Sequence, residues 1–101
     1  HRDLQIPEER LPAVIALCAP HFYPDRYGKK LMSYKKIAKL LTNIGIEPPP
    51  TASAIDKKLS RTRIENINEK HGLFIETREE LVDFVVLNGI VTREDVDNLL
   101  H

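Results

Sequence analysis

Short apolar stretches alternate with polar, proline-bearing or glycine-bearing breaks, and the spacing inside the stretches predicts helices. Pro12 suits a first helical turn, where its missing N–H costs nothing. Ala13, Val14, Ile15, Ala16, Leu17, Cys18 and Ala19 follow as an almost wholly apolar helix, expected to stop near Pro20. Pro20 to Met32 reads as a loop. Ser33 is the expected cap of a second helix in which Tyr34, Ile37, Leu40 and Leu41 form the apolar stripe. Lys35, Lys36 and Lys39 lie mainly outside that stripe, and Asn43 with Gly45 closes the helix. Pro48, Pro49 and Pro50 form a stiff connector that no helix crosses.

Thr51 or Ser53 caps the third helix, with Asp56 as a capping-box-like acid after Ser53. At about 100° per residue, Ile55, Leu59 and Thr62 share one side, while Lys57, Lys58 and Arg61 lie on another. Ile64 and Ile67 fall away from the first stripe, so the helix is expected to change neighbours or direction near Arg63. His71-Gly72 ends it, because glycine tolerates a left-handed stop. Leu73–Ile75 is a short extended segment. Thr77 to Glu80 is a capping box for a fourth helix, apolar almost all round and closed by Asn88-Gly89. Such a helix is expected at the centre of the core or against a second copy, giving a homodimer through residues 77–88. Thr92 to Asp95 caps a fifth helix carrying Val96, Leu99 and Leu100. The expected fold is therefore a small all-α bundle of about five helices.

Composition narrows the function. The 101 residues suffice for one domain, with 1–11 as an N-terminal arm and 92–101 as an extra C-terminal helix. No apolar run reaches the roughly 18 residues of a membrane span. A first residue of His suggests an excised fragment, and the lone Cys18 agrees with a reducing, cytoplasmic setting. With four glycines and no glycine-rich phosphate loop, no nucleotide enzyme is expected. Cys18 lies in an apolar helix, and His21 and His71 lack ligand spacing, so neither catalysis, nor a metal, nor a cofactor is expected.

Net charge is zero, but its distribution is uneven. Residues 26–63 hold ten cations against two acids, a net +8, while residues 64–101 carry −6 and the first 25 carry −2. A central third of that sign suits a polyanion. Ala38, small between apolar anchors, lets another helix cross the second one closely. Two crossing helices, the second offering its basic start outward, are the geometry of a helix-turn-helix in a DNA major groove. Ser53, Lys57, Lys58 and Arg61 would then face DNA, and Lys35, Lys36 and Arg63 would hold its backbone.

The run ALCAPHFYPDRYGKKLMSYKKIAKLL (16–41) resembles the helix-turn-helix or winged-helix domains of bacterial signalling regulators, often found beside forkhead-associated domains. An Ala-Leu-Cys-x-Pro segment leads there to a helix with Ile-Ala-x-x-Leu. IDKKLSRTRIENINEKHG is similar to the DNA-facing helix of LuxR-like regulators, and TREELVDFVVLNGIV to the closing helix. The likeness spans residues 12–91. It implies a DNA-binding regulator, contact from Lys57, Lys58, Arg61 and Arg63, and Leu73–Ile75 as a candidate rudimentary wing. The connector from Leu41 to Ile55 is longer than the tight turn of such motifs. The alternative is a protein-interaction module on the same scaffold, docking an acidic protein surface. For such a contact Phe22, Tyr23 and Tyr27, interleaved with Arg26, Lys29 and Lys30, are the candidates.

Overall fold

The computed structural model describes residues 6–101. The chain runs through α1 (Leu11–Phe22), α2 (Pro24–Tyr27), α3 (Tyr34–Asn43) and α4 (Ala52–Arg61). A π-helical stretch, Thr62–Asn68, continues α4 into the single turn α5 (Glu69–His71), and α6 (Arg78–Leu87) and α7 (Arg93–Leu100) complete the fold. No strand occurs among the described residues, and the domain is all-α. No helix among them is long and apolar enough to cross a membrane. The Cα radius of gyration, 12.5 Å, matches the roughly 13 Å of one compact unit of this length.

The centre of the core is α1. Its residues Ala13 to Pro20 are buried on every side, and α2, α3, α4, α6 and α7 all pack against it. Val14 and Leu17 are fully buried, each worth roughly 1.5–3 kcal/mol of transfer free energy. The helix ends at Phe22, two residues past the Pro20 near which its stop is expected. Pro20 stands in the last turn, where it lacks the N–H that would have bonded the Ala16 carbonyl and its ring crowds that carbonyl, a cost offset by the burial of the residues around it. The fourth predicted helix, α6, buries only Leu81, Val82 and Val85, and the central position expected for it belongs to α1. The loop expected after Pro20 also contains α2.

The caps follow the sequence closely. Ser33 Oγ accepts the Lys36 N–H, Thr77 and Glu80 form a full capping box, and so do Thr92 and Asp95. Backbone N–H groups of Glu76 and Thr77 donate to Glu80 and hold its carboxyl below the usual range. At α4 the cap is Thr51, which accepts the Ala54 N–H at 3.1 Å, so Ser53 lies inside the first turn. Asp56 is no capping acid; it accepts from Ser60 Oγ at 3.3 Å.

The change expected near Arg63 is the π-helical stretch. Continued α winding would carry Ile67 about 120° off the Ile55 line. The i→i+5 pattern turns the chain less per residue and brings Ile67 back under Thr62 and Asn66, all three buried. Ile64 is left exposed. Gly72 then ends α5 at φ 64°, a left-handed position that suits glycine.

The candidate wing is not formed. Asn68 takes both backbone groups of Ile75, donating from Nδ2 to its carbonyl and accepting its N–H, each at 2.9 Å. Arg63 Nη1 adds a 2.9 Å bond to the same carbonyl. With those groups satisfied locally, Leu73–Ile75 is a pinned loop rather than a hairpin strand. Of the expected N-terminal arm, residues 1–5 lie outside the described residues. Pro7–Arg10 forms a turn and Leu11 already begins α1.

Candidate nucleic-acid interface

Helix α4 rests on the core through Ile55 and Leu59, and Thr62 extends that line with its hydroxyl donating 2.7 Å to the Lys58 carbonyl. This anchoring turns the other side of the helix outward. Ser53, Lys57 and Arg61 are exposed, and Lys58 is half-buried on the flank. None of the three cations lies in an ion pair with a carboxylate of the described residues. Helix α3 packs against α4, and Lys35 and Lys36 stand exposed in its first turn.

Arg63 departs from this group. Its guanidinium is committed to the Ile75 carbonyl, and it lines a narrow crevice of about 90 Å³ with Tyr34, Ser60, Glu76 and Arg78. Lys57, Lys58 and Arg61 instead share an open groove of about 430 Å³ with Glu9, Arg10 and Pro48. Lys58 and Arg63 are five residues apart, about 140° round the helix, so crevice and groove occupy opposite flanks. The structure thus brings together Ser53, Lys57, Lys58 and Arg61, and separates Arg63 from them.

Sequence reasoning missed the groove's second wall. Arg10 reaches across 56 residues to give Asn66 Oδ1 a 2.9 Å bond, and it pairs with Glu65 at 3.1 Å. No local pattern ties Arg10 to Asn66, and the proline run gave Pro48 no direction.

The aromatic candidates are engaged within the molecule. Tyr23 donates its hydroxyl to Asp97 Oδ1 at 2.5 Å, and that carboxylate raises the phenol's pKa above its ordinary value. The Tyr27 hydroxyl meets His101 Nε2 at 2.8 Å, and the Arg93 guanidinium lies over the rings of Phe22 and Tyr23. Phe22, Tyr23 and Tyr27 therefore form a half-buried seat for α7. Cys18 is fully buried, and desolvation pushes its thiol well above the ordinary value. Among the described residues, no three His, Cys, Asp or Glu side chains gather as a metal-binding group.

Comparison with known proteins finds no family model, no curated protein and no solved structure that matches this chain.

Proposed function

We propose that this domain binds double-stranded DNA as part of a transcriptional regulator, with α4 in the major groove. The observation that carries the reading is the outward side of α4. There Ser53, Lys57 and Arg61 stand exposed, with Lys58 beside them, over an apolar anchor and without a carboxylate partner among the described residues. The helix starts add support. Both α6 and α7 open with acids in the first turn, whereas α3 and α4 do not, and α3 places Lys35 and Lys36 at the positive end of its own dipole. That arrangement works against the helix and in favour of an anion. The resemblance to LuxR-like regulators points the same way.

Lysines and arginine would supply affinity by neutralising phosphates, and Ser53 and Lys57, near the helix start, are placed for base edges. Fluorescence anisotropy with a random-sequence duplex at low salt tests the reading. Saturable binding near micromolar protein is expected, with log K falling against log salt by about 0.9 per phosphate contacted. Changing Lys57, Lys58 and Arg61 together to Ala should abolish binding and leave the thermal midpoint in place, because none of the three is in the core. No binding by the unaltered domain would overturn the proposal and transfer the basic face to an acidic protein surface.

A further inference from the structure

Three hollows lined by described residues differ in the charge they offer. One, of about 520 Å³, sets Lys29 and Lys30 on one wall against Glu79 and Asp83 on the other, above Leu31 and Val82. Opposed walls of opposite sign give a phosphodiester no net preference. The crevice beside Tyr34 contains Glu76, and its cations are spent: Arg63 on the Ile75 carbonyl, Arg78 on the Met32 carbonyl and the Tyr34 ring. The groove on the far flank of α4 differs in its balance: Lys57, Lys58 and Arg61 have no carboxylate partner among the described residues, and Glu9 is the single acid on its lining.

We propose that the groove between the Pro7–Arg10 turn and the Lys58 and Arg61 flank of α4 receives the phosphodiester backbone of one DNA strand. The inference rests on the DNA reading above and adds the path of one strand. Its 430 Å³ falls within the roughly 300–1,000 Å³ of ligand-sized hollows, room for a nucleotide-sized length of backbone rather than a duplex. Lys58 and Arg61 offer charge-assisted donors to phosphate oxygens, and Pro48 with Ala54 offers an apolar surface to deoxyribose. Arg10 is a positioning residue, because its guanidinium is occupied by Asn66 and Glu65 and thereby fixes the turn that forms the outer wall. Glu9 stands on the lining as a repulsive charge.

The division of labour is measurable by anisotropy across a salt series, using duplexes of several sequences and circular dichroism to verify folding. Lys58→Ala should lower the salt slope by about one and weaken every duplex to the same extent, as loss of a phosphate contact does. Glu9→Gln should tighten binding roughly two- to fivefold by removing one surface repulsion. Lys29→Ala with Lys30→Ala, which removes two charges from the mixed cleft, should change neither slope nor affinity. If the unaltered domain binds duplex while Lys58→Ala keeps its slope and Glu9→Gln is neutral, the strand does not run in the groove and the DNA reading stands alone. If the Lys29/Lys30 pair matters as much as Lys58, a diffuse field replaces the groove. Failure of the unaltered domain to bind removes both proposals together.

Discussion

Arg10 shows how one side chain links distant parts of the chain. Asn66 is 8% exposed, and Arg10 supplies its Oδ1 with a hydrogen bond across the molecule. Glu65, the other partner, is half exposed, so its ion pair is weakened by solvent. The bond to Asn66 therefore outweighs the pair with Glu65. Arg10→Met should lower unfolding free energy by about 1–3 kcal/mol, the usual consequence of leaving a buried polar group without its partner. Glu65→Gln should cost less than about 1 kcal/mol. Urea unfolding of the two variants checks the order, and equal losses would mean that the surface pair carries the tie. Nothing near Arg10 in the sequence announces this role. Its neighbours there, Glu8 and Glu9, are acidic, and the residue it completes lies on a π-helical stretch whose burial depends on the fold.

At the scale of elements, most starts and stops were legible because they are local chemistry. Ser33, Thr77 and Thr92 cap the helices that their spacing predicted, and the Ile55–Leu59–Thr62 line faces inward as the period requires. The features that escaped are tertiary. Burial on all sides carries α1 through Pro20, and the Asn68 side chain, seven residues from Ile75, turns a candidate strand into a pinned loop. The same local rules expose an anomaly at α3. Its third helical residue is Lys36, where a capping box would place Glu. Lys36→Glu completes a Ser-x-x-Glu box and reverses an unfavourable charge at the helix start, so it should stabilise the domain by about 0.5–1 kcal/mol. On the proposed function it should also weaken duplex binding. A variant that is more stable yet binds less tightly, read by urea unfolding and anisotropy on one preparation, would mark Lys36 as a residue kept at a cost to the fold. Loss of stability would mean that Lys36 makes a structural contribution its exposed position does not reveal.

At the scale of the whole molecule, the candidate site was legible as a basic third and as a face of one helix, but its second wall was not. Charge and period are written along the chain, whereas the approach of Pro7–Arg10 to α4 is a product of packing. The same distinction bears on assembly. The apolar sequence of α6 suggests a partner helix, yet Leu81, Val82 and Val85 are spent on the molecule's own core. What remains outward on that helix is Glu79, Glu80 and Asp83 together with Leu87, which is 87% exposed. A two-fold contact through this face would set a patch rich in carboxylates against its own image. One leucine falls far short of the roughly 800 Å² per partner that a stable interface buries. Sedimentation velocity at micromolar concentration should accordingly give a single monomeric boundary at low salt, unchanged by Leu87→Lys. A concentration-dependent dimer abolished by that substitution would restore α6 as a self-association surface. On the DNA proposal a monomer brings one α4 to one site, and the anisotropy isotherm should then fit one domain per site without cooperativity. A sigmoidal isotherm would require contact between neighbouring domains on the duplex.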